Sequence, residues 1–286
     1  MCGLILNGRT GGFSDVELDT GFWGKYSMTP LLLNLYIFLL GMCVGSFLNV
    51  CIYRLPAGRS IIQPASACTG CHTPIRWYDN IPVLSYIFLR GRCRTCHSAI
   101  SPRYPIVELL TGSFALAIWL RFGTHPPTAA VYFVFIAALL VITFIDIDHR
   151  IIPDVISLPA IPAGLALSFF LPPVSWLDSL LGIVVGGGSL FIVAWGYHLL
   201  TGKEGMGGGD IKLLAMIGAF IGWQGVLFTI MASSFTGTAV GLAVMLRARK
   251  DMKMAVPFGP FLAIGAILYL FFGPRWIEWY LHRFLV

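Results

Sequence analysis

Long apolar runs separated by short polar loops dominate the chain from residue 31 onward. Most approach or exceed the ~20 residues that a helix needs to cross a hydrocarbon core of ~30 Å. The runs cover residues 31–53, 104–122, 128–146, 153–171, 178–200, 210–222, 224–246 and 258–281. The sixth run is short, and the Gly-Trp-Gln-Gly break at 222–225 is the least distinct boundary. The pattern predicts an all-α membrane protein, a polytopic bundle of about eight transmembrane helices.

Composition supports this class. The 286 residues are 57% hydrophobic and 11% charged, with a mean hydropathy of +0.82, whereas soluble domains are about 25% charged. The net charge of +6 and the pI of about 9.0 would suggest nucleic acid in a soluble chain. Here no nucleic-acid motif is present, and asymmetry between the loops explains the charge better. The lipid bilayer is therefore the predicted environment, and nucleic acid is not a predicted partner.

The basic residues predict the orientation of the bundle. Thirteen Lys and Arg residues lie in the loops at 54–103, 147–152, 201–209 and 247–257, against five on the opposite side. Because loops rich in Lys and Arg stay in the cytoplasm, the first set of loops is predicted to be cytoplasmic. Eight spans then leave both termini outside. A seven-span topology would move the basic cluster at 247–257 outward, which argues against it.

Two aspartates lie where a membrane chain should least favour them. Asp146 ends the third apolar run, and Asp210 follows a glycine run and begins the sixth. An acid inside a membrane segment is a functional-site hypothesis by default, and the predicted topology puts both acids at the cytoplasmic face. Two neighbouring carboxylates share a proton, so one can deprotonate a water while the other donates to a carbonyl. The pair therefore predicts aspartic-protease chemistry.

Residues beside Asp210 fit the same interpretation. Gly207 and Gly209 allow backbone conformations closed to other residues and let a substrate strand approach closely. Lys212 could add positive charge at that interface. The alternative is that Asp210 is simply an N-terminal acid favoured by the helix dipole, and for any single aspartate that explanation is the stronger one. For a pair beside a glycine run at one face, the functional interpretation is favoured.

Asp148 competes locally with Asp146 for the catalytic position. Side chains two positions apart on a helix face different directions. We therefore expect only one of the two to face Asp210, and Asp148 is assigned a supporting place at the site.

Four of the seven cysteines form two C-x-x-C pairs with 21 residues between them: Cys68, Cys71, Cys93 and Cys96. Two such pairs at this spacing predict one structural zinc ion held by four thiolates. The loop is predicted to be cytoplasmic, where reducing conditions disfavour disulfides, and metal can supply folding energy to a loop with little core. His72 and His97 each follow a pair and could substitute as ligands, although loop histidines are more often solvated.

Two further features leave alternatives open. The loop at 77–88 is too apolar for a solvated linker, so it either anchors at the membrane interface through its aromatics or covers the active site. Glu108 is another acid inside an apolar run, where a packing role and a functional role are equally compatible with the pattern.

The predicted organisation has four regions. They are an N-terminal extension at 1–30, expected to be poorly ordered, a first transmembrane helix at 31–53, a cytoplasmic zinc-binding loop domain at 54–103, and a transmembrane peptidase core at 104–286. The extension lacks a basic segment followed by an apolar one, so it does not match a cleaved signal peptide. Residues 1–27 are either native or a mis-assigned start upstream of Met28, and both origins stay open.

Together these residues resemble the bacterial prepilin peptidases, or type IV leader peptidases, which are G-x-G-D intramembrane aspartic proteases. The resemblance extends from about residue 41. Its motifs are GSFLNVCIYRLP at 45–56, the two cysteine pairs, WYDNIPVLSY at 77–86, LRGRCR at 89–94, ISPRYPIVELLTG at 100–112, D-x-D-x-x-x-x-P-D at 146–154 and GGGDIKLLA at 207–215. A lone G-x-G-D is weak evidence, but all of these in order are highly specific.

The resemblance implies a bifunctional enzyme of the bacterial inner membrane. Asp146 and Asp210 would cut the basic leader of a prepilin or pseudopilin after a glycine at the cytoplasmic face. S-adenosylmethionine would then N-methylate the new terminal residue, often phenylalanine. By the same resemblance, methyl transfer depends on the cytoplasmic loop, including Gly91 and Arg92, and we group Glu108 with them. No Rossmann fingerprint is present, so no donor pocket is assigned. The one minor departure is a C-T-G-C first pair, where proline commonly follows the cysteine.

Two other classes remain as alternatives. A polytopic transporter with a zinc-stabilised cytoplasmic regulatory loop would place coupling acids near the membrane midplane and show repeat symmetry, whereas here the acids end helices and no repeat is evident. A non-catalytic scaffold for pilus or secretion assembly would leave the carboxylates free to change. The sequence assigns no oligomeric state.

Overall fold

The computed structural model describes residues 30–170, 174–203, 207–248 and 257–284. Over these ranges the chain is helical and forms no sheet, apart from two isolated β-bridges. The helices are α1 (Pro30–Arg54), a 3-10 helix (Trp77–Asn80), α2 (Leu84–Phe88), α3 (Arg103–Phe122), α4 (Pro126–His149), α5 (Asp154–Ser168), α6 (Trp176–Thr201), α7 (Gly208–Ala248) and α8 (Gly259–Phe284). The predicted N-terminal extension, up to residue 29, lies outside the described residues.

The predicted all-α membrane class is confirmed. Within the described ranges, six helices are long and apolar enough to cross a bilayer, namely α1, α3, α4, α6, α7 and α8. Eight apolar runs were predicted, and two causes explain the difference. Helix α5 has only 15 residues and is shorter than a full span. Helix α7 contains both the sixth and the seventh run.

Several helix termini meet at one end of the bundle, which we call the aspartate end. Three side-chain contacts join them: Gly259 with Asp146, Lys212 with Asp154, and Arg103 with Asp148. The end of α4 and the starts of α3, α5, α7 and α8 therefore lie together. The loop between α1 and α3 also emerges here, because it leads directly into the start of α3.

Helix α7 reverses direction at Gly222, whose torsions (φ 73°, ψ 176°) are not helical and favour glycine. Beyond this residue the chain packs antiparallel to α8. Gly225 lies against Tyr269, well into α8, whereas the later Gly237 lies against Phe261 near the start of α8. The second half of α7 therefore returns toward the aspartate end.

Glycines bring neighbouring helices into backbone contact, as is common in membrane bundles. A Cβ on Gly182 of α6 would lie 2.2 Å from the carbonyl oxygen of Gly218 on α7. A Cβ on Gly45 of α1 would lie 2.7 Å from the Cα of Glu108 on α3. The second contact brings the backbone of α3 at an acidic residue, Glu108, directly against α1.

Helix α4 is the centre of the core. Its fully buried side chains include Phe135, Ile136, Leu139, Ile142 and Ile145. The helix packs against α1, α3 and α8, and its Phe135 ring stacks on Phe220 of α7. The buried face extends through Asp146, so the aspartate sits at the end of a firmly packed helix.

Candidate active site and metal centre

Asp146 occupies the last turn of α4 and is almost completely buried, with 5% of its surface exposed. Its Oδ2 accepts a hydrogen bond from the backbone N–H of Gly259, at an N–O distance of 3.0 Å. That N–H belongs to the first turn of α8, where amides lack partners within the helix and attract negative charge. The start of α8 therefore holds the Asp146 carboxylate in one orientation.

Gly259 is a residue of the site that the sequence analysis missed. A Cβ at this position would lie 2.7 Å from Oδ2 of Asp146, so a side chain here would displace the carboxylate. The two residues are 113 positions apart in the chain, which is why local pattern did not pair them. The available signal was Gly259-Pro260 at the start of the last apolar run, because proline favours the first turn of a helix.

Asp210 lies in the first turn of α7 and is partly buried. The Asp146 carboxylate acts on it electrostatically, so the two acids lie within electrostatic range of each other at the aspartate end. The structure thus brings together the two aspartates that the sequence placed at one face. Their catalytic role stays a prediction at this point.

The predicted supporting residues occupy different places around this pair. Gly207 is exposed, and a Cβ on it would come 4.0 Å from Oδ2 of Asp210. Gly209 packs closely on Ile152, where a Cβ would lie 3.0 Å from the isoleucine Cβ. Lys212 does not contact either aspartate of the pair. Its Nζ lies 2.8 Å from both carboxylate oxygens of Asp154 and joins the starts of α5 and α7.

Asp148 points to a different partner from Asp146. It forms an ion pair with Arg103, the first residue of α3. The Arg103 guanidinium also donates to the carbonyl of Phe144 at 3.0 Å and lies over its ring, 4.9 Å from the centroid. Asp148 therefore connects α4 to α3, whereas Asp146 is the one of the two that interacts with Asp210.

The four predicted ligand cysteines converge. Their Sγ atoms all lie within 4.8 Å of one another, and those of Cys68 and Cys96 are 3.7 Å apart. Four thiols at this separation match the donor set of a tetrahedral structural zinc site. Among the described residues, no histidine belongs to the cluster.

The two cysteine pairs have the same local fold. In each, the first cysteine donates its backbone N–H to a residue five positions later and accepts the N–H of the following histidine. His72 and His97 both adopt positive φ, at 57° and 58°. Each turn is closed by one isolated bridge, Ala67 with Pro74 and Arg92 with Ala99. The histidines thus complete the turns instead of joining the cluster.

Hydrogen bonds lower the pKa of two of the four thiols in the cluster. The Cys71 backbone N–H, the Ser98 hydroxyl and the Gly70 N–H lower the pKa of the Cys68 thiol to about 5. The Ser98 hydroxyl also lowers the pKa of the Cys96 thiol. Since the thiolate is the form that binds metal, these contacts favour metal binding by Cys68 and Cys96.

Of the residues grouped with methyl transfer, Gly91 and Arg92 lie in the loop and Glu108 lies in α3. Gly91 is buried with φ of +67°, and its carbonyl accepts the N–H of Ile100 at 2.7 Å. Arg92 is exposed. Glu108 is 7% exposed, and its carboxylate accepts the N–H of Val83 at 2.8 Å. Glu108 therefore fastens the apolar part of the loop to α3.

That apolar segment exposes its largest side chains. Trp77 and Phe88 are each 81% exposed, and Leu84 and Ile87 are also exposed. At its inner side, Asp79 forms a bidentate ion pair with Arg94 of the second cysteine pair, with a shortest N–O distance of 2.6 Å. The hydrogen bond from Arg94 lowers the pKa of Asp79. The segment is thus fixed to the cysteine centre, with its apolar face outward.

Comparison with known families matches two parts of the chain. Residues 39–122 match the bacterial peptidase A24 N-terminal domain, and residues 133–242 match the type IV leader peptidase family. The first match contains all four clustered cysteines, and the second contains both aspartates.

Curated relatives match over nearly the whole chain. One is the prepilin leader peptidase/N-methyltransferase of Aeromonas hydrophila, 37% identical over 90% of this chain and 96% of the relative. The protein of the same name from Pseudomonas putida is 40% identical over 88% of this chain and 94% of the relative. One from Burkholderia pseudomallei (strain 1026b) is 37% identical over 83% and 85%, respectively. No solved structure matches with significance.

Proposed function

We propose that this member of the type IV leader peptidase family, a multi-pass bacterial membrane protein, removes the leader peptide from type IV prepilins or pseudopilins. It then N-methylates the new N terminus. The family and the activity are those of its curated relatives, which are named prepilin leader peptidase/N-methyltransferase. One observation carries the catalytic assignment: Asp146 and Asp210 lie at the same end of the bundle, within electrostatic range of each other.

The two aspartates have different roles in hydrolysis. Asp146 is the base that takes a proton from water, because the Gly259 N–H at the start of α8 favours its charged form. Asp210 holds the shared proton and donates a hydrogen bond to the scissile carbonyl. Exposed Gly207 next to Asp210 leaves room for the leader strand to approach.

We assign the aspartate end to the cytoplasmic face of the inner membrane. The excess of basic residues in the adjoining loops supports this orientation. Counting α5 and the two halves of α7 separately gives eight membrane segments, and the reversal at Gly222 supports that count. The apolar helix of a prepilin then lies in the bilayer, and its basic leader reaches the interface where the carboxylates and water meet.

The loop domain at 54–103 serves methyl transfer and is stabilised by one zinc ion on the four cysteines. S-adenosylmethionine, when bound, supplies a methyl group: the amine nitrogen gains the N–C bond, sulfur keeps the C–S electrons, and the amine loses a proton. The exposed apolar side chains of 77–88 fit the anchoring alternative, in which they rest on the membrane interface.

The test is a mass assay on the full chain in detergent, with a short-leader prepilin and with or without the methyl donor. Wild type should yield the mature pilin without donor, and that product plus one methyl group with donor. Asp146→Asn and Asp210→Asn should each abolish cleavage.

Both variants should still methylate a pilin that has been cleaved beforehand, which controls for folding. Cleavage retained by either single variant would refute the catalytic pair and would favour the scaffold or transporter alternatives. Cleavage by wild type without any methylation would refute only the second activity.

A further inference from the structure

A cavity of about 410 Å³ lies between the cysteine loop, the C-terminal part of α1 and the start of α3. We call it the loop–helix cavity. Six polar or aromatic residues that matter for recognition line it: Ser46, Asn49, Tyr53, Tyr86, Tyr104 and Glu108. Ligand pockets for small molecules fall within about 300–1,000 Å³, so a molecule of nucleoside size fits this space.

We propose that the loop–helix cavity is the binding site for S-adenosylmethionine, and this rests on the proposed methyltransferase function. The donor combines a sulfonium and an ammonium, both cationic, with an aromatic adenine. The site therefore needs a fixed negative charge and flat apolar surfaces in one enclosure.

Glu108 supplies the charge. It is 7% exposed, in a helix end where an acid is costly unless it has partners. Two neighbours already contact the carboxylate, the Val83 N–H and Ser46. A carboxylate has about four acceptor sites, so it retains capacity for a cationic ligand in the cavity that it lines.

One face of α1 is polar where a lipid-facing helix would be apolar. Ser46, Asn49 and Tyr53 are spaced three and four residues apart, so they share the face toward the cavity. The Asn49 side-chain amide donates to the Tyr104 carbonyl at 3.1 Å, which fixes α1 against α3. The tyrosines on the two helices and the loop offer rings for the adenine.

Gly91 shapes the cavity without lining it. A Cβ on Gly91 would lie 2.9 Å from the hydroxyl oxygen of Tyr86, a lining residue. Its carbonyl also accepts the N–H of Ile100, another lining residue. We therefore classify Gly91 as a positioning residue whose substitution changes the cavity through Tyr86.

The test measures binding in place of turnover. Labelled S-adenosylmethionine is equilibrated with the full chain in detergent by dialysis, with no prepilin present. Glu108→Gln should raise the dissociation constant by ~10-fold or more, as expected for loss of a charged contact. Gly91→Ala should raise it as well, because the added Cβ would displace Tyr86 in the cavity wall. Gly58→Ala is the matched control for Gly91→Ala, because Gly58 also has positive φ (62°) and nothing within 4 Å of a Cβ. It should bind like wild type.

Ultraviolet crosslinking of the donor to wild type adds a measurement that needs no variant. We expect the label in peptides covering residues 46–53 or 84–108. Label concentrated at 207–215, or unchanged affinity in both variants, would overturn the cavity assignment while wild-type methylation left the proposed function intact. A wild type that binds no donor and methylates nothing would overturn both.

Discussion

The aspartate end of the bundle and the cysteine loop are stabilised in different ways. Around Asp146 the chain is built from long helices with fully buried side chains and glycine-mediated backbone contacts. In the loop, all of whose residues from 55 to 102 are described, Gly91 is the one buried residue. Its order comes from two cysteine turns, one ion pair and the Glu108 tether. Because the two regions depend on different interactions, we expect that each can be disrupted while the other stays intact.

The largest effect should come from removing a metal ligand. Cys96→Ser should eliminate zinc and the folding energy that structural zinc provides, ~10–16 kcal/mol in small zinc domains. Metal analysis should then find no zinc, and limited proteolysis should cut the loop rapidly. Methylation should be lost well before cleavage.

Cys43→Ser is the matched control, because Cys43 is an exposed thiol of α1 outside the cluster. Full zinc content in Cys96→Ser, or an unchanged rate of loop proteolysis, would contradict the metal assignment.

An effect on cleavage alone should follow from Gly259→Ala. The added methyl group would displace the Asp146 carboxylate, and misplacing a catalytic group by about 1 Å costs ~100-fold in rate. The cleavage rate should fall by that order, with zinc content and donor binding unchanged.

Gly196→Ala provides the comparison, because this helical glycine has nothing within 4 Å of a Cβ. Equal cleavage rates for the two variants would show that Gly259 does not position Asp146.

A smaller effect is expected where the two regions meet. Asp148→Asn removes the ion pair with Arg103, which precedes the cavity residue Tyr104. Since the pair is partly exposed, it should contribute ~1 kcal/mol or less. We expect a thermal midpoint lowered by ~2 °C and both activities within a few-fold of wild type.

Asp154→Asn removes an ion pair of similar exposure with Lys212 and serves as the reference. A loss of cleavage in Asp148→Asn as large as that in Asp146→Asn would move the catalytic assignment to Asp148.

The sequence predicted the membrane class and most helix bounds because long apolar runs depend on local composition. It also placed Asp146 and Asp210 at one face, since charge asymmetry between loops fixes the side on which a helix ends. The cysteine cluster could also be predicted from the sequence, because metal ligands have regular spacing.

The features that the sequence did not predict depend on tertiary contacts. The Gly259 N–H reaches Asp146 across 113 positions, and no local pattern encodes that pairing. Lys212 was expected near the aspartate pair, but it pairs with Asp154, a choice set by how α5 packs on α7. The loop–helix cavity joins residues of α1, α3 and the loop, so it exists only once the chain is folded.

The most direct measurement is the cleavage rate of Asp146→Asn, Asp210→Asn and the double variant on one prepilin substrate. If the two carboxylates act as a unit, each single variant should lose essentially all cleavage, and the double variant should be no slower than either. Substantial cleavage by one single variant, or two partial losses that multiply in the double variant, would contradict a shared catalytic pair.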